Sequence, residues 1–248
     1  MAGHSHWAGI KHKKKLVDAK RGKLFSKLAR NIMNAARTGG KDPDANLDLS
    51  YAIQRAKDAN MTKDSIERAV LKGTGELPGE SLETVMYEAY ACSGIAVLIQ
   101  VLTDKKNRTV GEIRNILERH GGSLAGPGSV AWMFENRGMI VVSEEDTDEE
   151  TLMLTALDAG ADDVVQSGSI YEIYTAPEAL RAVRQALEDA DFTVESGDIS
   201  WIPTSFISVG EDNAKKVLSL MNQLEEHDDV QNVYANFDIS EELIEQYA

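Results

Sequence analysis

Lys11, Lys13, Lys14 and Lys15, followed by Lys20, Arg21, Lys23, Lys27, Arg30 and Arg37, place ten fixed cations within 27 residues, with His12 among them. Cations at that density can neutralise several phosphates. Each neutralised phosphate releases counterions, so binding of this kind weakens steeply with added salt, with a log–log slope of about −5 to −7 if six to eight groups engage duplex DNA. Charged stripes usually face water, but here compensating acids at i±4 are almost absent. His4, Ser5, His6 and Trp7 stand just ahead of the lysines. Trp7 can stack on a base or sugar, or pack on the first helix; its type alone leaves both open. His4, His6 and His12 have no cysteine or carboxylate at a familiar zinc spacing, so no metal site is expected.

The element that must carry the basic groups is helical. From Asp18 to Arg37, apolar residues at Leu24, Phe25, Leu28, Ile32 and Ala35 follow the spacing of one buried helix face. Lys20, Lys23, Lys27, Arg30, Asn34 and Arg37 gather on the other side. Gly39-Gly40 ends this helix. A second is expected with Pro43 in its first turn, and a third after a Thr62 cap, stopping near Gly73 and Gly75.

Charge divides the chain at the same place. Residues 1–72 hold 16 Lys+Arg against 7 Asp+Glu, and residues 73–248 hold 10 against 34. The net charge of −15 therefore conceals a basic module followed by an acidic one. After a linker at 73–82, the pattern predicts strands at Thr84–Tyr90 and Ile95–Leu102, a helix at Thr109–His120 and a strand at Val130–Phe134. Met139–Val142, Thr147–Ala159, Asp163–Gln166, Ile170–Tyr174, Glu178–Ala190 and Phe192–Trp201 read β-α-β-β-α-β, the ferredoxin-like order. A strand at Phe206–Val209, a helix at Asn213–Leu224 and a strand at Val230–Phe237 would complete the preceding unit around that insertion.

Other motifs carry less chemistry. Lys105-Lys106-Asn107-Arg108-Thr109 is the one basic island of the acidic part. Asn107 or Thr109 is expected to cap the following helix, with Asn107 and Arg108 as a secondary phosphate contact. The loop Gly121–Ser129 follows a helix and precedes a strand, with no Lys-Ser/Thr pair opening a helix, so it reads as a turn rather than a phosphate loop. Carboxylates at 144–146, 148–150, 162–163 and 228–229 are expected on the surface, at helix starts and turns. With no nucleophile elbow, metal box or dinucleotide fingerprint, no enzyme, cofactor or small-molecule substrate is expected. One cysteine, Cys92, and no apolar run of membrane-spanning length point to a reducing cytoplasm.

Ala2-Gly3-His4-Ser5 with Trp7, Ile10-Lys11-His12-Lys13-Lys14, and Asp18-Ala19-Lys20-Arg21-Gly22-Lys23 with Phe25, Lys27 and Arg30 resemble the opening signature of the YebC/PmpR family. The likeness continues through Asp42-Pro43-Asp44-Ala45-Asn46, Tyr87-Glu88, Asn107-Arg108-Thr109, Gly121-Gly122-Ser123-Leu124 and Ile202-Pro203. His6 departs from it, standing where relatives usually carry Lys, as does Ala91-Cys92 where a Gly-Pro pair is usual. The resemblance implies an α+β protein of three domains: a three-helix bundle and two α+β domains, the third ferredoxin-like and inserted in the second. The expected boundaries are 1–75, 80–134 plus 204–242, and 135–203. It also implies a cytoplasmic, cofactor-free, DNA-binding transcriptional regulator, although some relatives act at the ribosome, where rRNA or tRNA would be the partner.

Overall fold

The computed structural model of the protein describes residues 21–78, 82–145, 147–240 and 243. Helices α1 (Arg21–Gly39), α2 (Leu47–Asp58) and α3 (Lys63–Gly73) come first. Leu28, Ile32, Ala35 and Ala36 of α1 are buried against Leu49, Ala52, Ala56, Ile66 and Ala69, the faces that the 3.6-residue period marks out. Thr62 caps α3 as expected, its hydroxyl accepting from the Ser65 N–H. Pro43 does not open α2. It lies in a preceding turn, and Asn46 takes the cap, because its buried side chain also donates to the Ala35 and Gly40 carbonyls at 2.9 and 2.8 Å while accepting from Leu49 N–H. One amide thus fixes both the end of α1 and the start of α2.

The acidic part is built on two four-stranded sheets. The first has the order β3 (Ser123–Leu124), β1 (Glu83–Tyr90), β2 (Ala96–Thr103) and β9 (Val230–Ala235). Helices α4 (Lys106–Arg119) and α7 (Glu211–Glu226) cover one face, burying Ile99, Val101, Ile113, Leu117, Leu218 and Met221. The second sheet orders β5 (Ala161–Ser167), β6 (Ile170–Thr175), β4 (Phe134–Ser143) and β7 (Val194–Pro203), all antiparallel. With α5 (Glu149–Asp158) and α6 (Leu180–Asp189) on one face, this is the ferredoxin-like strand order. The chain leaves the first sheet before β4 and returns to it at β9. A short parallel pair, β8 (Ile207–Ser208) with β10 (Phe237–Asp238), closes the end.

Two strand expectations change. Val130–Phe134 is not a strand; Ala131–Met133 is one turn of 3₁₀ helix, and Met139–Val142 is the second half of a strand beginning at Phe134. Gly138 looks like a break in the sequence but is a packing requirement. A side chain there would collide with the Thr175 hydroxyl and approach Leu180 Cβ to 3.0 Å. The outer face of the first sheet meets the base of the second, where Ala96, Leu98, Val130 and Phe134 are buried beside Trp201 and Tyr234. The bundle touches the first sheet through Asn34, whose amide donates to the Thr84 hydroxyl at 3.0 Å, and the second unit on its helix side. Tyr51 Oη donates to the Pro177 carbonyl at 2.8 Å, and Arg184 grips both oxygens of Asp58 at 2.9 and 3.0 Å.

Candidate nucleic-acid interface

Helix α1 presents its basic stripe to the end of another helix. Lys23 Nζ donates to the Glu226 carbonyl at 3.1 Å, Lys27 Nζ to the Glu225 carbonyl at 2.6 Å, and Arg30 Nη1 to the Asp228 carbonyl at 3.1 Å. These acceptors are the last turn of α7 and the loop after it, the negative pole of a helix. Lys23 also lies 3.5 Å from the Asp228 carboxylate. The compensating acids missing from the stripe's own helix therefore arrive from about 200 residues along the chain. Arg37 is exposed near the end of α1. Arg21 opens the helix, while His4, Ser5, His6, Trp7, Lys11, His12, Lys13, Lys14, Lys15 and Lys20 lie outside the described residues.

The stripe converges with the predicted secondary contact on one carboxylate, Asp229. Arg30 Nη1 donates to its Oδ1 at 3.1 Å, and Arg108 Nη2 to its Oδ2 at 2.7 Å. Thr109 and Thr103 hydroxyls stand 2.7 and 3.1 Å from the same Oδ2. Burial alone would push this carboxyl's pKa up; the Thr109, Arg108, Arg30 and Thr103 donors outweigh it and hold it at about 2. The expectation that Asp228-Asp229 is a solvated turn is corrected for Asp229, whose side chain is only 5% exposed. Capping by Asn107 or Thr109 is corrected too. Lys105 occupies the cap position without a side-chain bond, its N–H donates to Thr103 Oγ1 at 3.0 Å, and Thr109 turns inward to Asp229. Asn107 is exposed in the first turn of α4.

Glu112, His227 and Asp229 bring ligand-type atoms within 4.8 Å of one another. The arrangement is a hydrogen-bond chain rather than a cation site. Asp229 N–H donates to His227 Nδ1 at 3.1 Å, which leaves the Nε2 proton for Glu112 at 2.9 Å. Asp229 is already neutralised by two guanidiniums, whose charge opposes a metal ion.

Glu88 organises the glycine-rich loop. Its carboxylate accepts from the N–H groups of Gly128, Val130 and Ala131 at 2.5, 2.6 and 2.9 Å. Burial raises its pKa, but these backbone donors, with Ser129, bring it below the ordinary carboxylate value. The segment contains the short strand β3 (Ser123–Leu124) before it turns, and it leads into a 3₁₀ turn rather than the expected strand, with Trp132 70% exposed. Glu88→Gln leaves at least one buried N–H unanswered and is expected to cost about 1–3 kcal/mol. Chemical denaturation checks this, and an unchanged midpoint would refute the role.

The bundle and both sheets also enclose a cleft of about 770 Å³. Leu28, Asn31 and Asn34 of α1 form one wall, Gln100 and Asn232 another, and Asp198 and Trp201 a third. Arg55 spans it, with Nε 3.0 Å from Asp198. Among the described residues, no helix is long and apolar enough to cross a membrane.

A basic helical bundle followed by two acidic, sheet-containing units defines the class of protein, and the comparisons agree. The family description "TACO1/YebC protein N-terminal domain" matches residues 5–76, and "TACO1/YebC second and third domain" matches residues 82–237. The chain belongs to the TACO1/YebC family. A Halothermothrix orenii protein named "Probable transcriptional regulatory protein" is 51% identical over 249 residues, covering 99% of this chain and 98% of its own. A like-named protein of Pelotomaculum thermopropionicum is 51% identical over 243 residues, covering 97% and 100%. The crystal structure of a conserved hypothetical protein from Aquifex aeolicus aligns with a TM-score of 0.86 at 48% identity, covering 96% of this chain and 98% of that one. Its relatives are thus named as regulators.

Proposed function

We propose that this protein is a DNA-binding transcriptional regulator whose basic N-terminal segment carries the nucleic-acid contacts. One observation supports this above the rest: within the first 41 residues there are 11 basic groups against a single acid, Asp18. Lysines dominate that set, and lysine positions a backbone more than it reads base edges. Affinity therefore comes first from phosphates and depends steeply on salt. The relatives' regulatory names favour DNA as the target.

Replacing Lys13, Lys14 and Lys15 together with Ala is expected to weaken binding across all sequences and to flatten the log–log salt slope by up to about 3. Fluorescence anisotropy on a labelled duplex over a salt series measures it. A slope identical to that of the parent would remove the lysine run from the interface.

A further inference from the structure

Three of the cations that the proposed interface would use also hold α1 against α7. Lys23, Lys27 and Arg30 already satisfy the carbonyls of Glu226, Glu225 and Asp228. Arg108, the second predicted phosphate contact, grips the same Asp229 carboxylate as Arg30. Two basic segments separated by about 80 residues thus share one anion, and that anion belongs to the chain itself. Two guanidiniums and two hydroxyls around an oxyanion make the kind of donor set that recognises phosphate.

We propose that the α7 C-terminus, with Asp228 and Asp229, is an internal stand-in for phosphate, so that a nucleic-acid backbone competes with it and binding releases α1. This rests on the nucleic-acid reading above. An ammonium already shared between a helix-end carbonyl and a carboxylate has fewer donors and less unpaired charge to offer a phosphate, so the two contacts compete. The described arrangement is then the low-affinity one. The rim of the clasp suits release: the side chains of Lys23 and Asp228 are 59% and 79% exposed, where salt screens their attraction.

The test uses the full chain, a labelled 20-nucleotide duplex and a single strand of the same sequence, with affinity measured against salt. Asp228→Ala removes an exposed carboxylate, and Asp229→Asn keeps the shape of the buried one. Both are expected to bind about tenfold tighter at low salt, as when a competent state rises from roughly 10% of the population. The salt slope should steepen by about 1 in each variant, as Lys23 loses its Asp228 carboxylate or Arg30 its Asp229 carboxylate. Unchanged or weaker affinity in Asp228→Ala, with its circular dichroism intact, would overturn the clasp while leaving the nucleic-acid reading in place. Absence of any salt-dependent binding by the parent protein would overturn both.

Discussion

Asp229→Ala is expected to destabilise the protein by about 3–5 kcal/mol, the cost of removing one partner from a buried ion pair. Its side chain is 5% exposed and lies against Arg30 and Arg108. Truncation leaves Arg30 facing a hole, and the Thr103 and Thr109 hydroxyls lose their common acceptor. Three elements loosen together, because Arg30 belongs to the bundle, Thr109 to α4 and Asp229 to the turn before β9. The pH dependence has a definite sign. A carboxyl held at about 2 in the fold and near 4 when unfolded stabilises above pH 4, and that contribution disappears as pH falls through about 2. The variant should therefore lose less stability than its parent between pH 4 and 2. Urea denaturation at both pH values measures the two effects, and a parallel acid response in the two proteins would contradict the assignment.

Glu172→Gln is expected to act in the opposite direction. Glu172 is fully buried on β6, directly opposite Val141 on β4 and Val165 on β5. Desolvation drives its pKa up to about 7, against the lowering effect of the Tyr174 hydroxyl that donates to it at 2.5 Å. The fold therefore prefers the protonated acid. Its stability is highest below about pH 4.5, falls as pH rises towards 7, and stays lower above that. A shift of this size corresponds to about 3 kcal/mol. Gln keeps an oxygen for Tyr174 and carries no charge, so the variant should gain about 2–3 kcal/mol over its parent at pH 8 and almost nothing at pH 4. Equal stability of the two at pH 8 would mean that Glu172 is neutralised by some other means.

These two carboxylates mark where the sequence stops being legible. The bundle could be read because α1 and α3 repeat their apolar residues at helical spacing, and Thr62 caps α3 by a purely local bond. The hairpin across Ser167-Gly168 and the flanking helices α5 and α6 were equally local, which is why the order of the second sheet was foreseeable. Glu172, by contrast, sits in an apolar strand whose burial depends on neighbours from two other strands. Asp229 has the residue type and turn position of a surface acid. Only donors from residues 30, 103, 108 and 109 make it a buried hub, and no window of sequence contains them together. Glu88 was visible as part of a family motif, but its task of holding the loop some 40 residues later was not. The helix end that Lys23, Lys27 and Arg30 meet lies at the far end of the chain, so a reading of the stripe alone does not contain it.

The measurement that bears most directly on the central claim is crosslinking in living cells, followed by sequencing of the nucleic acid attached to the segment from Lys11 to Arg30. Discrete chromosomal sites, reduced when Lys13, Lys14 and Lys15 are replaced, are the predicted result. Recovery of ribosomal RNA or tRNA without chromosomal sites would contradict transcriptional regulation and make the protein a translation factor.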